Sequence, residues 1–245
     1  TEQQKKINRK FKNVSRETFF YGWKNMSEIV LVHGGWAGAW QWDNLVPLLD
    51  QEAHRVFRPC LSGLGSKVDK ANPEISIHTH IDDISELVLS LELEKVVLLG
   101  FSYAGLVVSG VLHRIPERVS QLIYLDAFYP LDGESFADIV GPKITRQFKQ
   151  FSRIHGEGWK VPAFKPDDER LVPQPIQTAL CPIACNNPHA RDVPRWYIRC
   201  TKKDPDWTFT PILEANAAKA VQDGCKIAEI DCGHFAMNEK PRELA

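Results

Sequence analysis

The chain has 245 residues, enough for one large α/β domain or two small ones. Hydrophobic residues make up 43% and charged residues 25%, the balance of an ordinary globular protein. A formal net charge of −1 gives no electrostatic case for a nucleic-acid partner or an anionic membrane surface, and no apolar run approaches the ~20 residues that span a bilayer.

Residues 1–25 stand apart. They hold seven basic residues against Glu2 and Glu17, with Ile7, Phe11 and Val14 at helical spacing, followed by the aromatic run Phe19-Phe20-Tyr21-Gly22-Trp23. This reads as a basic N-terminal extension, accessory to a domain that starts at Met26. The segment has no apolar core of the signal-peptide kind, so the cytoplasm is the expected compartment.

From Ser27 onward strands and helices alternate. Ile29–Val32 is a fully apolar strand, Trp40–Leu49 reads as a helix, and His54–Arg58 as a short strand closed by Pro59. Ile81, Ile84, Leu87, Val88 and Leu91 mark one face of a helix. Lys95–Leu99 is the next strand, followed by a helix over Tyr103–Ile115 that stops before Pro116. Leu122–Leu125, Trp196–Cys200 and Lys226–Ile230 are further strands, with helices over about Pro211–Val221 and from near Phe235. Apolar strands separated by helices imply a parallel sheet covered on both faces. The rhythm breaks between Phe128 and Pro194, where prolines and scattered aromatics (Phe136, Phe148, Phe151, Trp159, Phe164) replace any clear strand. That stretch, about 129–194, is expected to be an inserted cap of helices and loops over the carboxyl edge of the sheet.

The chemistry gathers at strand ends. Gly100-Phe101-Ser102-Tyr103-Ala104-Gly105 places a serine on a sharp strand-to-helix turn, its neighbours small enough for the chain to pass close, and the helix N-terminus aimed at the hydroxyl. A nucleophile that attacks a carbonyl needs that exposure and those donors; alone, the pattern also fits a serine in an ordinary loop. After the first strand, His33-Gly34-Gly35-Trp36-Ala37-Gly38 forms a glycine turn whose Gly35 N–H, with that of Tyr103, would complete an oxyanion hole. It lacks the spacing of a dinucleotide loop and the lysine of a P-loop. After the last strand, Asp231-Cys232-Gly233-His234-Phe235 carries the one histidine of eight placed to reach the serine.

Two acids compete to orient that histidine. Asp126 ends the apolar run Tyr124-Leu125-Asp126, where a buried carboxylate needs a partner. Asp206 lies in the polar loop Lys203-Asp204-Pro205-Asp206-Trp207, where solvated turn acids are common. Asp126 is preferred, and Asp206 is the alternative. His78 and His80 flank a helix start without a matching carboxylate or cysteine set, so no metal is expected. The cysteines at 60, 181, 185, 200, 225 and 232 fit no zinc spacing and are expected to be free thiols, with a Cys181–Cys185 disulfide as the other reading.

Taken together, Leu-Val-His-Gly-Gly-Trp at 31–36, Gly-Leu-Gly at 63–65, Gly-Phe-Ser-Tyr-Ala-Gly at 100–105, Tyr-Leu-Asp-Ala-Phe at 124–128, Tyr-Ile-Arg-Cys-Thr at 197–201 and Gly-His at 233–234 resemble the α/β-hydrolase superfamily. More narrowly, they look like bacterial esterases related to plant methylesterases and hydroxynitrile lyases. The resemblance implies a mostly parallel sheet flanked by helices over 26–245, with an inserted cap. It also implies a bacterial pattern with the acid at Asp126 or a plant pattern with the acid at Asp206. Ala104 departs from the commoner glycine of the turn. The threonine and lysine typical of the lyases are replaced by Gly34 and Phe235, which favours hydrolysis over cyanohydrin cleavage.

The expected activity is that of a serine hydrolase acting on a small aromatic or otherwise hydrophobic carboxylic ester, or lactone, through an acyl-enzyme. Ser102, His234 and Asp126 would form the triad, Gly35 and Tyr103 the oxyanion hole, and Trp36, Phe128, Trp159 and Phe235 the substrate walls. No cofactor is called for. The other readings are a C–C bond hydrolase or lyase on the same triad, and a ligand receptor with vestigial hydrolase activity. The expected partner is the small-molecule ester, and the oligomeric state stays open, a homodimer included.

Overall fold

The computed structural model describes residues 27–163 and 168–245. The basic segment 1–25 and Phe164, both singled out from the sequence, lie outside the described residues.

Among the described residues six strands form one sheet: β1 (Glu28–Val32), β2 (Arg55–Phe57), β3 (Val96–Phe101), β4 (Val119–Leu125), β7 (Arg195–Cys200) and β8 (Lys226–Ile230). They lie in the order β2-β1-β3-β4-β7-β8, and every pairing is parallel. The apolar strands follow from burial on both faces. Val30, Val32, Leu98, Leu122, Tyr124 and Tyr197 enter one core, while Ile29, Leu31, Leu99, Phe101, Ile123 and Ile198 enter the other. Each fully buried aliphatic side chain here contributes about 1.5–3 kcal/mol to folding.

The helices on these faces are α1 (Val46–Gln51), α2 (Ile77–Ser90), α3 (Ala104–Arg114), α6 (Thr210–Gln222) and, after β8, α7 (Ala236–Glu239) and α8 (Pro241–Leu244). The helix expected over Trp40–Leu49 is two pieces, a 3₁₀ turn at Ala39–Trp42 and then α1, with Pro47 in the first turn of α1. Pro47 has no N–H to give to a preceding turn. Pro241 likewise divides the helix expected near Phe235.

Between β4 and β7 the chain builds α4 (Phe136–His155), α5 (Gln177–Leu180) and a two-stranded antiparallel ribbon of β5 (Lys160–Val161) and β6 (Gln174–Pro175). The ribbon is a correction to the strand-free expectation for this stretch; at two residues per strand it carries no alternation to detect. Ser135 caps α4, its Oγ accepting the Asp138 N–H at 3.2 Å while Asp138 accepts the Ser135 N–H at 2.8 Å. The helix kinks at Gly141, whose φ of 80° suits a residue without Cβ, just before Pro142.

The order of strands places β1 beside both β2 and β3, so chain direction across the sheet reverses there. In open parallel sheets the crevice above such a reversal is the usual ligand site. All six cysteines are unpaired thiols, Cys181 and Cys185 among them.

Candidate active site

Strand β3 is buried along its whole length and gives way at once to Ser102, whose φ is 54°. A non-glycine residue in this left-handed region is strained, and its neighbours hold it. The Ser102 N–H donates to Leu125 O at 3.2 Å, and its carbonyl accepts from Gly105 N at 3.1 Å and Phe128 N at 3.0 Å. Glycine is required at 105 because an added Cβ would lie 2.0 Å from Phe128 O. Ser102 itself stays half-buried, open to the crevice.

Asp126 follows β4, fully buried and also at positive φ (41°). One carboxylate oxygen, Oδ2, lies 2.7 Å from His234 Nδ1. The other, Oδ1, accepts from Lys203 Nζ at 2.8 Å and Cys200 N at 3.2 Å. Asp206 is elsewhere: it is exposed, and its N–H donates to Asp204 Oδ1 at 2.9 Å in a local turn. The alternative acid of the sequence reading is therefore not in contact with the histidine. Short polar loops beside proline favour such self-contained turns. The His234 imidazole is flanked by Phe101 and Trp207, with ring centroids 4.7 and 4.8 Å away.

The glycine turn after β1 is fixed on every side. Fully buried His33 accepts Leu61 N–H at Nε2 (3.1 Å), and its Nδ1 lies 2.8 Å from Gly34 O. With Nε2 accepting, Nδ1 carries the proton. Burial pushes the His33 pKa down to about 4, so the ring is neutral. Gly34 N donates to Gln41 Oε1, and Trp36 N to Gln174 Oε1, both at 2.8 Å. Gly35 N, between them, has no acceptor among the described residues, and neither has Tyr103 N. Trp36 is tied further to the β4–β7 insertion by Val172 N to Trp36 O (2.8 Å) and Trp36 Nε1 to Val161 O (2.9 Å). Behind the serine, Tyr103 Oη lies 2.9 Å from Nδ1 of buried His80, whose Nε2 lies 2.9 Å from Ser62 O.

A cavity of about 340 Å³ opens above these groups. Ser102, His234, Gly35, Tyr103, Trp36, Phe128 and Phe235, all singled out from the sequence, line it. Trp159 does not: it is half-buried, with Lys160 Nζ 4.7 Å from its ring centroid. Within an irregular stretch, nothing in the residue pattern tells an inward aromatic from an outward one. Phe136, Leu171, Trp207 and Phe209 complete the apolar wall, and the sequence reading did not assign them to the site. Lys203 and Gln174 were missed as well. Among the described residues no three His, Cys, Asp or Glu side chains are grouped to hold a metal ion, and no helix is long and apolar enough to cross a membrane.

A parallel sheet with a strained serine between β3 and α3, a buried Asp–His pair at later strand ends, and a shared cavity wall in which the Gly35 and Tyr103 N–H groups have no acceptor among the described residues together define a hydrolase of the α/β class. The family model described as "Alpha/beta hydrolase family" matches residues 29–245, and the chain belongs to that family. Over 239 residues it is 30% identical to the carbendazim hydrolyzing esterase of Nocardioides sp. (strain SG-4G), covering 90% of this chain and 97% of that protein. Methylesterase 1 of Arabidopsis thaliana is 32% identical over 145 residues, 58% of this chain and 52% of that one. Among solved structures, an extracellular α/β-hydrolase from a Paenibacillus species superposes with a TM-score of 0.72 at 20% identity, covering 89% of this chain and 96% of the other. A pyrethroid hydrolase from Sphingobium faniae JZ-2 gives 0.70 at 19% identity, covering 90% and 94%. At such identities the two structures speak to the fold alone.

Proposed function

We propose that this carboxylic ester hydrolase cleaves a small, apolar ester or lactone through a covalent acyl-enzyme, with Ser102 as nucleophile. His234 Nε2 takes the hydroxyl proton as Ser102 Oγ attacks the carbonyl carbon. Asp126 fixes the imidazole with the proton on Nδ1 and stabilises the imidazolium that forms. The Gly35 and Tyr103 N–H groups take the developing oxyanion, usually the largest single contribution to such a rate. His234 then returns the proton to the leaving alcohol, activates a water, and deacylation releases the acid. Each proton and charge in the cycle has a residue to hold it, so none is routed through a metal or cofactor.

The observation that carries this reading is the 2.7 Å contact between His234 and the buried Asp126, in a cavity wall shared with Ser102. Aromatic walls from Trp36, Phe128, Phe136 and Phe235 favour a hydrophobic, aromatic acyl or alcohol group. The insertion between β4 and β7 serves as the cap. The test is a panel of alkyl and aryl esters, with carbendazim included because a relative is named for it. Pre-steady-state release of a chromogenic alcohol should show a burst. A fluorophosphonate should label Ser102 by mass spectrometry. No turnover on any ester together with no label on Ser102 would defeat the proposal.

A further inference from the structure

Lys203 is a lysine whose side chain is 1% exposed, set against a carboxylate that is 0% exposed. Its ammonium has three partners: Asp126 Oδ1 at 2.8 Å, Glu214 Oε1 at 3.0 Å and the Cys200 carbonyl. All three of its protons are therefore taken, which is what a desolvated ammonium requires. Glu214, on α6, is held in turn by Arg199 at 2.7 Å, and Arg199 by Glu229 at 2.7 Å. The result is a row of alternating charge from the triad acid to the protein surface.

We propose that Lys203 is a positioning residue for the acid–base pair: it occupies the Asp126 oxygen that His234 does not use and sets the acid limit of activity. The proposal rests on the triad reading above. An unpaired buried carboxylate would hold the imidazolium strongly and keep the base protonated to higher pH. With a lysine on its second oxygen, Asp126 still orients the ring but attracts its proton less, so neutral His234 is available at lower pH. The lysine also fixes the carboxylate plane, and with it the direction in which the ring is held.

The other groups around this pair do not supply that charge. Tyr197, on β7, donates its hydroxyl to Ala127 O at 2.7 Å, and burial holds it protonated. Burial likewise raises the thiols of Cys200 and Cys232, which stay neutral. Glu239, on α7, accepts the Gly233 N–H at 2.8 Å, and Asp204 stands in the cavity wall; both are acids. Arg199 reaches the pair only through Glu214. Burial pulls Lys203 down, but Asp126 and Glu214 outweigh it and keep it charged above the ordinary lysine range. The acid limit is then not the lysine's own titration.

The experiment is the pH profile of kcat/KM on an aryl ester for Lys203→Met, Lys203→Arg and Glu214→Gln, with folding followed by circular dichroism. Lys203→Met should move the midpoint of the acid limb upward by on the order of one pH unit and lower kcat about tenfold, with KM little changed. Lys203→Arg keeps the charge and should leave the midpoint near that of the wild type. Glu214→Gln removes a negative neighbour of the lysine and should move it the other way, by roughly a few tenths of a pH unit. A structural role alone would lower activity or stability without moving the limb. An unmoved limb in folded Lys203→Met overturns the proposal. If that variant does not fold, an unmoved limb in Glu214→Gln overturns it. Full activity of Ser102→Ala, run in parallel, would instead bring down the triad reading beneath it.

Discussion

Gln174 accepts the Trp36 N–H at 2.8 Å across 138 residues of sequence, joining the insertion to the turn that presents Gly35 to the cavity. Its amide nitrogen is held by Thr178 Oγ1 at 2.8 Å, so the acceptor is oriented. The bond spends the Trp36 N–H, while that of Gly35, the donor in the proposed oxyanion hole, has no acceptor among the described residues.

Gln174→Leu should therefore lower kcat more than it changes KM. Loss of an oxyanion donor costs about 10²- to 10³-fold, and a donor left in place but loosely aimed should cost less, on the order of tenfold. Steady-state kinetics with an aryl ester checks this, beside a melting curve showing the fold retained. A rise in KM alone would make Gln174 part of the substrate wall instead.

Ser102→Ala should abolish ester turnover, by on the order of 10³-fold or more, with the fold intact. The fluorophosphonate label should vanish with it. Residual turnover near the wild-type rate would mean that another group attacks the ester.

Asp126→Asn and Asp206→Asn separate the two acids. The first should cost about 10⁴-fold in kcat, as a triad asparagine favours the wrong imidazole tautomer. It also leaves Glu214 as the one carboxylate on the Lys203 ammonium, with a stability loss below the ~3–5 kcal/mol of a wholly uncompensated buried charge. Asp206→Asn should stay within about twofold of the wild type, as an exposed turn residue does. Kinetics and chemical denaturation on both variants measure the two effects.

Stability should fall on mild acidification. Burial holds both His33 and His80 down to a pKa of about 4, against about 6.5 in the unfolded chain. Between those values the unfolded state binds more protons, so stability is complete above about pH 6.5 and drains away as pH falls toward 4. The loss is several kcal/mol for the pair, since each tenfold difference in proton affinity between the folded and unfolded states is worth about 1.4 kcal/mol. His33→Gln should flatten the profile of melting temperature across this window. An unchanged profile would show that His33 is already protonated in the folded protein.

The architecture and the serine turn are legible because their signals are local. Val96–Leu99 is continuously apolar and the small residues at 100, 104 and 105 follow at once. The contact of Asp126 with His234 is legible for a different reason: an acid closing an apolar run has to find a partner. Lys203 is not legible. It sits between Lys202 and Asp204, both exposed, and nothing in the run Lys-Lys-Asp marks the one side chain that turns inward. Trp159 and Gln174 belong to a stretch with neither period. Their directions are set by contacts with Lys160, Trp36 and Thr178, one of them more than a hundred residues away.

The proposed base rides on the rim of the sheet. Among the described residues β8 is the outermost strand on its side, paired only to β7, half-open along most of its length, and His234 follows four residues after it. Fraying begins at such edges, while β1, β3 and β4 lie inside and open only when the whole domain does. On warming, catalysis should then fade before the spectroscopic signature of the fold. Remaining activity reports the integrity of that margin, and a single clamp across β7 and β8 would lengthen the working life of the enzyme without touching its core.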